Sequence, residues 1–463
     1  MRTIMSLALL LTVSVAADEP RGGIAFHYAT PLSPRELEWY GRFDVLVTHD
    51  PLPRPQVDAL HRQGTKVALY EWAVAYYAAL AIPWQRSAPV LNRTPLRGHL
   101  GATDADAFYF DPATREHGRG RAELLARRLR AIGYDGVFLD TTTSASVHPD
   151  ALAEYQRRHP EVSYDEAFAQ FLSNLSKSVE VIVTNQGYRA AKHILPYADW
   201  DVSESLITRP LDGRFVFRPW NDPKDRWNST AYLMKELIGP VQRAYPQVRF
   251  AHINYIDAVE RERVADLVAI SRLYDAEAVI ARPDLAQMIE SDLLLHDLGM
   301  PRTRVDRENG AYRFYSDGFI AYNAGSKAMR VANRDGLRYT DVVNGKTERG
   351  KMFVIPAGSS LILRRGTARN AAIDRKKPPG AAEGGGKSIG PAFRPGTASL
   401  CQVSPRSGRQ KSAFARFSAV ARYAGSKIHP RDTRPKGRAY SSFAAYGSND
   451  LAIGKELLRR RAR

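Results

Sequence analysis

Tyr134-Asp135-Gly136-Val137-Phe138-Leu139-Asp140-Thr141 follows directly on an amphipathic stretch, Arg121 to Ile132, that ends at Gly133. A helix, a glycine, an apolar strand and a terminal carboxylate thus succeed one another without interruption. In a (β/α)8 barrel the strands point their C-terminal ends at one mouth. Side chains leave the packed interior only there, so an acid that closes an apolar strand is where a barrel enzyme places its chemistry.

Working outward, the same unit recurs. Short apolar runs lie at Gly23 to Tyr28, Phe43 to Asp50, Lys66 to Trp72, Gly136 to Asp140, Val179 to Gln186, Trp200 to Ser205, Arg249 to Tyr255 and Glu277 to Ala281. Helical patterns separate them, the signature of βα units on a parallel sheet. Eight such strands predict a closed α/β barrel of the TIM type over residues 18–302. The helices carry their punctuation. Ser33-Pro34-Arg35-Glu36 reads as a capping box with proline in the first turn. Pro55 to Gln63 and Arg121 to Ile132 each run into a glycine suited to the left-handed closing position, and Ser163 with Glu166 opens a helix to about Ser178. Further helices are expected at Ser229 to Ala244, Val259 to Tyr274 and Asp284 to Asp297. The connection from Ala73 to Gly120 is long and holds Tyr76, Tyr77, Trp84, Phe108, Tyr109 and Phe110. Connections of that length are usually functional, so a cleft wall is expected, with a loop packed on its own aromatics as the plainer reading.

From about Thr303 the texture changes. Gly310 to Ser316, Gly318 to Asn323, Ala328 to Ala332, Arg338 to Val343 and Met352 to Leu363 read as strands. Asn309-Gly310, Asp335-Gly336 and Asn344-Gly345 are hairpin turns between them. A small antiparallel β-sandwich domain over 303–365 is expected. Ahead of the barrel, Met1-Arg2-Thr3, an apolar stretch from Ile4 to Val15 and Ala16-Ala17 form the three zones of a secretory signal peptide over 1–17. That predicts a secreted or periplasmic protein. The stretch is too short to span a bilayer, so no membrane insertion is expected after cleavage.

The formal net charge of +18 would suggest a nucleic-acid partner, but its distribution does not. Residues 366–463 carry 21 Lys/Arg against 5 Asp/Glu, a net of +16 that leaves +2 for residues 1–365. This basic tail lacks apolar periodicity and is expected to be disordered. Its alternative role is weak adhesion to an anionic polymer. The single cysteine, Cys401, excludes an intramolecular disulfide and a cysteine metal cage. With 44% apolar residues, packing of a large core must supply stability.

The chemistry these acids suit is glycosidic hydrolysis, which needs one carboxylic acid to protonate the leaving oxygen and a second carboxylate across the sugar. Asp140 closes the fourth strand and Glu204 the sixth. Each has a plainer reading: a strand-end Asp is often a helix cap, and Asp201 or Asp199 replaces Glu204 if the register shifts. Asp201 and Glu204 have opposite parity on a regular strand, so only one can face the mouth without a bulge. Tyr28, Asp50, Glu71, Trp72, Asn185 and Tyr255 lie at other strand ends and are candidates for substrate binding, the aromatic rings by stacking and Asn185 by hydrogen bonding, unless it merely anchors a turn. No cofactor and no metal are expected. The partner is a carbohydrate polymer or oligosaccharide, and a monomer is expected.

Tyr134-Asp135-Gly136-Val137-Phe138-Leu139-Asp140, Thr184-Asn185-Gln186-Gly187 and Ser203-Glu204-Ser205-Leu206 together resemble the barrel clan that includes glycoside hydrolase family 114, the endo-α-1,4-polygalactosaminidases. Within that clan the chain is most similar to hypothetical glycosyl hydrolase family 15, over roughly Gly22 to Arg365. The resemblance implies a retaining enzyme acting on α-linked sugars, with Asp140 as nucleophile and Glu204 as general acid/base. Ala68-Leu69-Tyr70-Glu71-Trp72 departs from the small-residue and Gly-Glu pattern of the polygalactosaminidases, which leaves the sugar open. Three rival classes remain. A metal hydrolase would draw on His27, His49 and Asp50, but offers no His-x-His pair or His-Glu-x-x-His helix. A barrel could bind polysaccharide without cleaving it, and a scaffold could use the tail as a tether.

Overall fold

The computed structural model describes residues 21–28, 31–77, 85, 88–97, 106–282, 287–348 and 350–366. The proposed signal peptide, Trp84 and residues 367–463 lie outside them. Eight parallel strands form the barrel in chain order: Gly22–His27, Phe43–Thr48, Lys66–Trp72, Gly136–Asp140, Val181–Asn185, Trp200–Glu204, Arg249–Tyr255 and Ala276–Arg282. Each expected strand is present, with ends shifted by at most two residues. The barrel does not close by direct pairing of its first and eighth strands. A two-residue antiparallel strand, Gln287–Met288, pairs with both, His27 facing Gln287 and Ala281 facing Met288.

Glycine at 136 has a steric reason. A Cβ built there would lie 2.0 Å from the Val181 carbonyl oxygen, so the fourth and fifth strands approach closely only because no side chain intervenes. Asp135, beside it, accepts from the Val67 amide at 2.7 Å and from His61 at 2.9 Å, which fixes the strand's entry against its neighbour. Ser33 and Glu36 form the reciprocal capping box at the start of Pro34–Tyr40. Gly64 and Gly133 adopt φ of 80° and 77° after their helices.

Two helical expectations are corrected. Ser229 to Ala244 is broken into Thr230–Tyr232, a π-helical turn Leu233–Ile238 and Gly239–Ala244, because Pro240 lacks the amide that a continuous α-helix needs. Arg121 to Ile132 is preceded by another π turn, Glu116–Arg121. Asp284 to Asp297 is not a helix where it is described: it holds the closing strand and one 3-10 turn, Asp292–Leu295. Leu293, Leu294 and Leu295 are all buried there, which a helix with one apolar stripe cannot achieve.

Beyond the barrel, Val305–Arg307, Gly310–Phe314, Gly318–Asn323, Ser359–Arg365, Tyr339–Asp341 and Thr347–Glu348 form one antiparallel sheet, and Met329–Ala332 pairs with Met352–Ile355 in another. The expected strand Met352 to Leu363 is split at Pro356-Ala357-Gly358, where Gly358 turns at φ 63°. Phe319, Phe353 and Leu363 fill the space between the sheets, while Ile320 and Ile362, of opposite parity, join the barrel's core. Arg261 of the helix Arg261–Leu273 donates to the Val343 and Val342 carbonyls, tying the unit down.

Candidate active site

Strand register decides which side chains reach the mouth. Phe26 and Phe138 meet edge to face at 5.1 Å inside the barrel. Parity along the first and fourth strands then carries Tyr28 and Asp140 inward, and the pairing of Trp72 with Asp140, Leu139 with Thr184 and Ile253 with Glu204 carries the rest. Tyr28, His49, Tyr70, Trp72, Asp140, Asn185, Glu204 and Tyr255 therefore share one face at the C-terminal end of the barrel. Tyr28 lies 6.3 Å from Tyr70, and His49 5.1 Å from Tyr70, ring centre to ring centre.

Asp140 accepts from both sides. The Tyr70 hydroxyl donates to its Oδ2, and Asn185 Nδ2 donates to its Oδ1 at 2.6 Å. Burial pushes its carboxyl above the usual aspartate range, while these two donors and the Thr141 amide pull it back. Glu204 accepts from the Tyr255 hydroxyl at 2.9 Å. Its carboxyl is pushed up to about 7, first by burial and second by the charge of Asp140, against the hydrogen bonds of Tyr255 and Asn185. Asn185, hydrogen-bonded to Asp140, thus also lies close enough to Glu204 to lower its carboxyl. Burial, with the nearby carboxylates, holds Tyr28, Tyr70 and Tyr255 well above the ordinary phenol value, so they remain neutral donors.

Each of the three central side chains is followed by a non-glycine residue in left-handed conformation: Thr141 at φ 58°, Gln186 at 61° and Ser205 at 56°. The chain turns sharply off the strand at each of these points. Threonine, being β-branched, is rare in that region.

Asp201, the rival to Glu204, faces the helix layer. It accepts from the Gly187 and Tyr188 amides at 2.7 and 2.9 Å and from Thr184 Oγ1 at 2.8 Å, capping the turn after the fifth strand. Asp199 accepts from the Ile182 amide. The structure thus brings Glu204, not its neighbours, to Asp140.

Two candidate binding residues lie off the face that holds Asp140 and Glu204. Asp50 and Glu71 have the parity of Thr48, which points outward to Tyr134. The second strand ends at Thr48, and Asp50 lies beyond it with its side chain 52% exposed beside His49. Glu71 is buried behind the third strand and is ion-paired to Arg128 of the helix Ala122–Ile132. The residues at the mouth are instead His49 and Tyr70, one position earlier on each strand. A third residue, Tyr77, packs edge to face on Trp72 at 4.9 Å. It comes from the long third connection, where Tyr76, Tyr77, Tyr109 and Phe110 are all buried, Tyr77 against Trp72. Arg121 stands behind Trp72. Sandwiched by Phe110 and Phe171, it donates to the Trp72 and Ala73 carbonyls and fixes where the third strand ends.

His27 and His49 diverge, His27 reaching outward to Tyr40 at 3.2 Å. Among the described residues no three His, Cys, Asp or Glu side chains cluster as a metal site would require.

No family model matches the sequence, and no curated protein matches it. Solved structures align with the chain at low similarity. The glycoside hydrolase domain of PelA from Pseudomonas aeruginosa is 22% identical at a TM-score of 0.44, over 57% of this chain and 95% of that one. An α-amylase from Malbranchea cinnamomea is 10% identical at 0.44, over 74% and 96%. The Aspergillus fumigatus Ega3 complex with galactosamine is 11% identical at 0.36, over 57% and 91%. At these levels the chemistry of the mouth rests on its own side chains.

Proposed function

We propose that the protein is an exported glycoside hydrolase that cleaves α-linked polysaccharide or oligosaccharide by double displacement. The observation that carries the reading is the convergence of Asp140 and Glu204 on one face at the barrel mouth, near enough that the charge of Asp140 raises the Glu204 carboxyl. Double displacement calls for carboxyls about 5–5.5 Å apart, against the about 6.5–9.5 Å that leaves room for water in inverting enzymes. The environments also separate the acids. Asp140, with three donors on it, loses its proton first, and its charge then helps Glu204 keep one.

In the first step Asp140 attacks the anomeric carbon, the bond to the leaving oxygen breaks, and Glu204 gives that oxygen its proton. In the second, Glu204 takes a proton from water as the water oxygen attacks the same carbon and Asp140 departs. Trp72 and Tyr28, both half-buried, offer rings for the flanking sugar. Purified protein incubated with α-linked polysaccharides should release new reducing ends that first appear in the substrate's anomeric configuration by proton NMR. Asp140→Asn should lower turnover by roughly 10³-fold or more. Tight polymer binding with no reducing ends from wild type would instead support the non-catalytic barrel. First-formed products of inverted configuration would refute double displacement.

A further inference from the structure

We propose that a groove between the barrel's N-terminal end and the C-terminal sheets binds an acidic polysaccharide through Arg243, Arg338 and Arg364. The groove lies at the start of the seventh and eighth strands, the opposite end from Asp140 and Glu204, and has a volume of about 1670 Å³. That exceeds the roughly 300–1,000 Å³ of small-molecule sites and fits a run of an extended polymer. Nine arginines and four carboxylates line it, a local excess of positive charge in a body that is otherwise nearly neutral.

Most of these arginines are already engaged. Arg249 pairs with Asp44 at 2.7 Å, Arg313 with Asp275, and Arg304 with Asp306 at 3.0 Å. Arg272 donates to the Leu294 carbonyl at 3.1 Å. Arg243, Arg338 and Arg364 are exposed and make no ion pair or side-chain hydrogen bond among the described residues. Contributed by a barrel helix, the turn that leads from one C-terminal sheet to the other and the last strand of the larger sheet, they present three uncommitted guanidiniums to one channel. Guanidiniums suit carboxylate recognition, because their donors match its two oxygens. The chain leaves the groove at Gly366, which itself lines it, and the basic sequence follows.

A glycan fits better than a nucleic acid. Single-stranded nucleic acids are held by stacking bases on open rings. Of the rings lining the groove, Phe250 is buried, Tyr315 has its hydroxyl committed to the Arg272 carbonyl at 2.9 Å, and His296 is one half-buried imidazole, not an open stacking platform. The choice also rests on the polysaccharide reading above, so the test uses binding and not turnover. Full-length protein is treated with phenylglyoxal and its modified arginines are mapped by mass spectrometry, with oligogalacturonate, a neutral malto-oligosaccharide or oligothymidylate present.

Oligogalacturonate should protect Arg243, Arg338 and Arg364, and the neutral oligosaccharide should not. The combined Arg243→Gln, Arg338→Gln and Arg364→Gln variant should bind oligogalacturonate at low salt about tenfold or more weakly, with its turnover at the mouth unchanged from wild type. Absent protection, or protection confined to residues 367–463, would overturn the proposal. So would oligothymidylate protecting the same arginines at lower concentration. A failed hydrolase assay with intact protection would count against the active-site reading alone.

Discussion

Glu204→Gln separates the acid's catalytic role from its effect on the fold, and the magnitude can be worked from its surroundings. Burial and the charge of Asp140 raise its carboxyl from 4.5 to about 7. The folded state therefore holds this proton more tightly than the unfolded chain. Stability from this group is fully present below the unfolded value of 4.5 and is lost as pH rises through about 7. At 1.36 kcal/mol per unit, the wild type should lose about 3 kcal/mol between pH 4.5 and 8 through this residue. Glutamine is neutral throughout and keeps an oxygen for the Tyr255 hydroxyl. Urea unfolding at several pH values should show the variant gaining on wild type by about 2–3 kcal/mol over that range, while turnover falls by roughly 10²–10⁴-fold. A stability difference that stays constant between pH 5 and 9 would refute the argument that Glu204 is an enclosed acid beside a second charge.

The remaining predictions concern its neighbours. Tyr70→Phe removes a donor that favours ionised Asp140, so the acidic limb of the kcat/KM profile should move up by about one to two pH units; an unmoved limb would mean the hydroxyl does not tune the nucleophile. Gly136→Ala forces a methyl against the Val181 carbonyl and should destabilise by about 3 kcal/mol or more in chemical denaturation. A loss under about 1 kcal/mol would show that the strands can separate there without penalty. Trp72→Ala should raise KM by roughly tenfold with kcat less affected, the mark of a ring that stacks on bound sugar; a fall in kcat alone would contradict it.

The barrel was legible because each of its strands is a short apolar run between helical patterns, a signal that needs no knowledge of pairing. Asp140 was legible for the same reason, as a lone carboxylate closing such a run. What sequence could not supply was parity at the strand ends. These strands are buried on both faces, so no alternation marks the inner one, and the charge of Asp50 and Glu71 does not tell which face they take. The register shows that His49 and Tyr70 occupy the mouth instead. Glu204 was distinguishable from Asp201 only as a matter of opposite parity, which the three hydrogen bonds on Asp201 resolve. The seam at Gln287–Met288 was hidden because two residues carry no periodicity, and Pro240's effect appears as a π turn that composition does not specify.

Thr141, Gln186 and Ser205 bear on how accurately the mouth is held. Glycine would adopt their left-handed geometry without penalty, yet would also adopt many others, so each of the preceding groups would hang from a swivel. A side chain at these turns costs about 1–2 kcal/mol of local strain and removes most of the alternatives. Asp140, Asn185 and Glu204 are thereby presented from narrow backbone wells, in advance of any sugar. Catalysis by positioning depends on that kind of restriction, because little orientational entropy is then left to be lost when substrate arrives.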